Sequence, residues 1–334
     1  MTKMKLTGTG NYLPELIVTN QMMSSIVETS DEWITTRTGI SERRLSSGEP
    51  TWYMAVLAAR KALEAADLSA DQLDIIMVTT CTPDYYLPAA ACIVQAELGA
   101  DKAYCFDLNA ACSGFVYAID MAARYLLDPS IQNILIVASE NISKLVDYSD
   151  RSTCVLFGDG ASAVVCSRGA DSDTSALLAT RLGSEGKTGH VLVSRALKVQ
   201  HPFLKEGAVW PDRFGEHEDH TITMEGQEVF KFAVRVLADS VLDAAAKAGV
   251  DITQLRYIIP HQANSRIVEA AARRMKADPG QIISRMADFG NTSSASIPIC
   301  LDELIRSGKL QRGEKVAICG FGAGLTYGAA IFIY

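Results

Sequence analysis

Three residues of this 334-residue chain carry side chains that together could move an acyl group: Cys112 in DLNAACSGF, His261 in IIPHQAN and Asn291 in DFGNTSSASIP. A thiolate is a soft nucleophile that exchanges thioesters with little change in energy, and imidazole and carboxamide N–H groups are neutral donors suited to an oxyanion. Each residue also has an ordinary reading. A cysteine in apolar company is commonly a packing residue, a histidine at a strand end can be a satisfied core group, and an asparagine before a helix can be its N-cap. Cys112 differs in its neighbours from the other cysteines (81, 92, 105, 154, 166, 300 and 319), most of which read as packing. Ala110, Ala111, Ser113 and Gly114 permit a tight turn and close approach of a substrate. The run GFVYAIDMAARYLL then supplies a helix whose N-terminal dipole favours a thiolate.

The elements that must bring these residues together show in the alternation of short β-rich runs with helical patterns: LDIIMVTT, PAAACIVQAELGA, AYCFDLNA, the helix after Cys112, and NILIVASE. Nearly continuous apolar strands in a βαβα rhythm predict a buried, mostly parallel sheet covered by helices. The second half repeats the order with LRYIIPHQAN, IISRMADFGNTSSASIPICLDEL and EKVAICGFGAG. This self-similarity predicts two related halves, with a boundary in the polar stretch SRGADSDTSA: residues 1–175 carrying the cysteine and 176–334 carrying the histidine and asparagine. On that pairing Cys112 and Asn291 take equivalent strand-to-helix turns, and both face one cleft beside His261.

Bulk properties narrow the function classes. With 48% hydrophobic residues the chain can bury a large core, and a formal charge of −8 opposes general nucleic-acid binding. No stretch approaches the roughly 20 apolar residues of a membrane helix, and the N-terminus lacks a secretory segment, so a cytoplasmic protein is expected. Eight scattered cysteines with no CxxC pair suggest neither a zinc site nor a disulfide framework. His190, His201, His217 and His220 lie in a long polar loop and HEDH alone is no metal motif; they stay unassigned. No metal or cofactor is expected.

The runs DEWITTRTGISERR, DLNAACSGF, PHQANSRI, GNTSSASIP and GFGAGLTYGAA, in this order and over nearly the whole chain, resemble β-ketoacyl-acyl carrier protein synthase III, the initiating condensing enzyme of type II fatty-acid synthesis. The resemblance implies an α/β, thiolase-like, five-layered αβαβα fold from two duplicated halves, a homodimer, and a catalytic Cys112–His261–Asn291 triad. It implies an oxyanion hole from the main-chain N–H groups of Cys112 and Ala323, the latter where relatives commonly have glycine. It also implies acyl-CoA as one substrate, with Trp33 and Arg37 flanking the adenine, Thr38 and Arg151 nearby, and Phe230, Ala263 and Asn264 along the pantetheine path. Malonyl-acyl carrier protein is the expected second substrate. An acidic carrier needs a local basic patch, and between Arg266 and Arg285 the chain has Arg266, Arg273, Arg274, Lys276 and Arg285 against Glu269 and Asp278, with Lys231 as an extension. Leu87 stands where some relatives carry a phenylalanine reaching across the dimer into the acyl pocket. The segment from Gly183 to Thr223 is longer than in compact members and is expected to shape the pocket entrance or the dimer surface.

Three rival readings share these residues. A relative of secondary metabolism would use another acyl group or acceptor on the same fold. A cysteine hydrolase would use His261 as a base toward water, but leaves the duplication unexplained. A non-catalytic partner subunit has no need of an intact Cys112.

Overall fold

A computed structural model describes residues 3–170, 172–199, 201–203 and 220–334. Two sheets carry the architecture. The first runs in the order Met4–Tyr12, Asp159–Arg168, Asn133–Asn141, Ile75–Thr79, Tyr104–Leu108, and the second in the order Tyr257–Pro260, Lys315–Gly322, Thr326–Ile333, Ala176–Ser184. The strand IIMVT at 75–79 is buried at every position, as a strand covered on both faces must be.

The sheets are mixed, where a mostly parallel arrangement was expected. Ile75–Thr79 lies parallel to both Asn133–Asn141 and Tyr104–Leu108, but Asp159–Arg168 runs antiparallel to Asn133–Asn141 and to Met4–Tyr12. In the second sheet only Tyr257–Pro260 and Lys315–Gly322 are parallel. The cause is the connections. Lys315–Gly322 turns back into Thr326–Ile333 through three residues, too few for the crossover that a parallel partner requires.

Five layers follow from three apolar clusters. Helices Thr51–Ala66 and Ala90–Leu98 cover the outside of the first sheet, and helices Gly226–Ala248 and Ser265–Met275 cover the outside of the second. Helices Gly114–Tyr125 and Ser296–Arg306 lie between the sheets, burying Phe115, Ile119, Ile297 and Leu301. The first turns of these helices have no solvent face, so FVYAI and IPICL are largely apolar, while exposed Arg124 and Arg306 mark their C-terminal ends.

From the strand Ile75–Thr79 to the strand Asn133–Asn141 the first half matches the second at a constant offset. Ile75 stands against Tyr257, Gly114 against Ser296, and Asn133 against Lys315, with the same offset each time. In this register Asn291 is the counterpart of Asn109, and Cys112 that of Ser294, which corrects the pairing of Cys112 with Asn291. The local geometry agrees. Asn109 Oδ1 accepts from the Ala111 N–H at 3.1 Å and Asn291 Oδ1 from the Ser293 N–H at 2.9 Å. Ala111 and Ser293 both adopt left-handed φ angles, +46° and +51°.

Candidate active site

Each half contributes one turn to a cavity of about 710 Å³. The first is Ala111–Ser113, a tight 3-10 turn that enters the helix Gly114–Tyr125 and presents Cys112. It packs on the end of strand Lys315–Gly322 so closely that a Cβ on Gly322 would lie 2.6 Å from the Cys112 nitrogen. Only glycine fits there. The second is the turn from Asn291 to Ala295 that enters the helix Ser296–Arg306. Its start is pinned across the halves, since the Asn291 N–H donates to the Leu156 carbonyl and the Asn291 carbonyl accepts from Gly158.

Cys112, His261 and Asn291 all line this cavity, together with Phe321 and Gly322. His261 directly follows the strand Tyr257–Pro260 and is 1% exposed. Its Nδ1 lies 2.7 Å from the Ser296 hydroxyl, which also accepts from the Gln262 N–H. Burial pushes the imidazole down to about 3, so the ring is neutral at pH 7. Asn291 satisfies part of its ordinary reading as well, because its Oδ1 is taken by the Ser293 N–H. That contact orients the carboxamide and leaves its NH2 as the group available to the cavity.

Cys112 does not start as the thiolate expected at a helix N-terminus. The helix proper begins at Gly114, and burial pushes the Cys112 thiol up to about 12, with the Ser293 side chain pulling in the opposite sense and Glu140 adding to the rise. Desolvation of an anion in an apolar wall outweighs the half-charge of a helix end.

The outer end of the cavity holds Trp33, Arg37 and Thr38 on the helix Asp31–Thr38, which Ser30 caps through the Trp33 N–H. The guanidinium carbons of Arg37 and Arg151 each lie 4.9 Å from the Trp33 ring centre. Arg151 therefore stands beside the mouth, donating to the Glu28 carbonyl, and is not part of the wall. The Thr38 hydroxyl is spent within its own turn, on the Ile34 carbonyl and the Ile40 N–H. Phe230, Ala263 and Asn264 line the passage between mouth and thiol, and Asn264 also caps the helix Ser265–Met275. Leu192 and Met224, at the two ends of the long polar segment, pair as short strands and line the cavity too. Residue 200 and residues 204–219 of that segment, His217 among them, lie outside the described residues.

Three expectations fare differently. Ala323 sits just past the strand end, and the positive φ of its loop falls on Gly324 at +133°, so its Cβ carries no backbone penalty. Leu87 is 88% exposed beside Tyr85 and Tyr86 and does not line the cavity of its own chain. The basic patch is largely neutralised: Arg273 pairs with Glu269, Arg274 with Asp239, Lys231 with Glu228, and Arg285 with Glu303 and Asp288. Arg266, at the cavity mouth, and Lys276 take no ion pair among the described residues. Ser293, Ser296 and Glu140 were not legible as site residues, because their contacts join positions 35 to 154 apart in sequence.

Comparison with known proteins agrees with this architecture. Residues 106–186 match the family described as 3-Oxoacyl-[acyl-carrier-protein (ACP)] synthase III, and residues 245–334 match its C-terminal family. A β-ketoacyl-[acyl-carrier-protein] synthase III of Clostridium novyi (strain NT) is 44% identical over 329 residues, covering 98% of each chain. Among solved structures, 3-oxoacyl-[acyl-carrier-protein] synthase III from Aquifex aeolicus VF5 is 43% identical with a TM-score of 0.90, covering 99% of this chain and 100% of its own. The priming β-ketosynthase of the R1128 polyketide pathway is 33% identical with a TM-score of 0.88, over 99% and 96%. These likenesses place the fold in the thiolase-like class. The chain belongs to the β-ketoacyl-acyl carrier protein synthase III family.

Proposed function

We propose that this chain is an initiating β-ketoacyl-acyl carrier protein synthase: an acyltransferase that loads an acyl group from acyl-CoA onto Cys112 and condenses it with malonyl-acyl carrier protein. The observation that carries the reading is that a neutral imidazole and a carboxamide line one cavity with the Cys112 thiol, with the Asn291 Oδ1 and the His261 Nδ1 each taken by another partner. In the first step the Cys112 sulfur displaces coenzyme A from its thioester, and the thiol proton leaves with the coenzyme A sulfur. Main-chain N–H groups of Cys112 and Ala323 receive the developing oxyanion. In the second step the malonyl group loses carbon dioxide. We assign the Ser296 hydroxyl as donor to Nδ1, so the other ring nitrogen carries its hydrogen and, with the Asn291 NH2, holds the enolate oxygen. The enolate carbon attacks the acyl thioester, and Cys112 leaves as a thiolate and is reprotonated. Neither donor is acidic enough to quench the carbanion, which is why a neutral histidine and a carboxamide suit these places. Because the thiol carries the acyl group and decarboxylation generates the carbanion, the chemistry needs no cofactor.

Trp33 and Arg37 are read as the clamp on the adenine, with Arg151 behind the indole, and Arg266 as the leading carrier-protein contact. No helix among the described residues is long and apolar enough to cross a membrane, and all eight thiols are free; we place the reaction in the cytoplasm. The halves 1–175 and 176–334 are read as the products of a duplication. A homodimer is supported by the open edge strand Tyr104–Leu108 and by the exposure of Tyr85, Tyr86, Leu87 and Leu127. The likeness to a polyketide priming synthase favours a second reading in which the starter or pathway differs and the chemistry stays the same.

The two half-reactions separate the alternatives. After incubation with acyl-CoA, intact mass should rise by one acyl group on Cys112, and Cys112→Ala should lose it. His261→Ala and Asn291→Ala should still load the acyl group, while carbon dioxide release and β-ketoacyl product fall by about 10²–10³. If both variants block loading as completely as Cys112→Ala, the histidine acts as the cysteine's base and the hydrolase reading moves ahead.

A further inference from the structure

The duplicated fold builds the corner twice, with Cys112 in the first copy and Ser294 at the matching place in the second. Where the first turn sets Cys112 against Gly322, the second sets Ser294 beside the counterpart position, Glu140, near the end of strand Asn133–Asn141. Glu140 is 0% exposed. Its carboxylate accepts from the Cys81 N–H at 3.0 Å, from the Thr80 and Thr82 hydroxyls at 3.2 and 3.0 Å, and from the Cys81 thiol at 3.4 Å. On its other oxygen it accepts from Ser293 at 3.0 Å and Ser294 at 2.7 Å. All these donors are neutral. A buried carboxylate is costly to maintain without a cation, and one held by a ring of hydroxyls across two halves of a fold has a task that a leucine could not perform.

The geometry of Ser293 indicates the task. A non-glycine residue at φ +51° persists only when its surroundings over-determine it, and its hydroxyl is tied to Glu140 while its N–H holds Asn291 Oδ1. We propose that Glu140 is a positioning residue for condensation, acting through the Ser293 turn to aim the Asn291 amide into the cavity. This rests on the condensing role given to Asn291 above. Without the anchor the turn relaxes, Oδ1 loses its partner, and the carboxamide is free to rotate away from the enolate oxygen. Ser294, also bonded to Thr79 at 3.1 Å, braces the same turn against the first half.

The test uses Ser293→Ala, which removes the link without a charge change, and Glu140→Gln, with the full-length enzyme in both half-reactions. Cys112 should still load to one acyl group in each variant, and condensation and carbon dioxide release should fall on the order of 10²-fold, the cost of a donor misplaced by about 1 Å. Ser293 also touches the Cys112 thiol, so loading is measured separately; in condensation the double variant Ser293→Ala/Asn291→Ala should be no slower than Asn291→Ala alone, because there the serine acts through the asparagine. Unchanged condensation, loading lost in parallel with condensation, or losses that add in the double variant each overturn the proposal. Should Glu140→Gln fail to fold, Ser293→Ala and its double variant decide the matter alone. If Asn291→Ala itself condenses normally, the proposed function fails first and takes this inference with it; if Asn291→Ala fails to condense while Ser293→Ala is normal, only this inference falls.

Discussion

Cys112 and His261 are both neutral at pH 7 for one reason: each lies at the bottom of a cavity where the charged form is poorly solvated. Alkylation of Cys112 by iodoacetamide should therefore be slow at neutral pH and climb through the alkaline range. Glu140 and Cys81 face the same region, and only Glu140 is a carboxylate, so Glu140→Gln should move the profile to lower pH; an unmoved profile would remove that charge from the thiol's surroundings. His261 has a stability signature as well. Its folded value is depressed from 6.5 to about 3, so below pH 6.5 the unfolded chain binds a proton that the folded chain refuses. Stability is fully present above that pH and is lost on acidification towards pH 3, by up to about 1.4 kcal/mol per unit. Thermal melts of His261→Gln should show a shallower acid loss than the parent, and parallel curves would mean the ring is solvated.

At the scale of elements, the helix Ser265–Met275 has one face apolar and one face charged, and the sequence shows both. Which charges are free is a matter of neighbours. Arg274 meets Asp239 of the preceding long helix, whereas Arg266 stands at the cavity mouth without an ion pair among the described residues. Exposed pairs each add little stability, yet they do consume the charge that a docking partner would meet. Arg266→Glu should thus weaken use of malonyl-carrier protein, by on the order of 2 kcal/mol if the contact is desolvated, more than Arg274→Glu does. A small malonyl thioester mimic should be affected less than the carrier-linked substrate. Equal losses with both substrates would assign Arg266 to coenzyme A instead. The repeated order of elements was legible in the sequence, but its register was not. Matching by chemical interest set Cys112 on Asn291; matching by backbone sets Asn109 there and leaves Cys112 opposite a serine.

At the scale of the whole molecule, the open edge of the strand Tyr104–Leu108, with Tyr104 48% exposed, and Leu87, 88% exposed, are surface that a folded chain seldom leaves bare. A second copy would cover it, at the roughly 800 Å² per partner of a standard interface. Tyr104→Glu should shift the mass measured by light scattering from dimer to monomer. If a second copy brings Leu87 to its acyl pocket, Leu87→Phe should move preference toward the shortest acyl-CoA, because overfilling an apolar pocket is penalised by strain. An unchanged chain-length profile would leave Leu87 as an interface residue and nothing more.

What the sequence determined by itself is what local chemistry and chain order can carry. The small-residue turn around Cys112, the helix after it and the strand end at His261 are short-range patterns, and the structure has a turn, a helix and a strand end at those places; the repeated order of elements was legible from chain order, though not its register. Only the tertiary structure decided the rest. Whether a strand runs parallel depended on the length of a connection, whether Arg274 is free depended on a residue 35 positions away, and whether Cys112 is ionised depended on burial by both halves at once. Glu140 shows the difference most plainly. In sequence it is one acidic residue at the end of an apolar strand; in space it collects donors from positions 80 to 294, because hydrogen bonds and desolvation act over ångströms and take no account of separation along the chain.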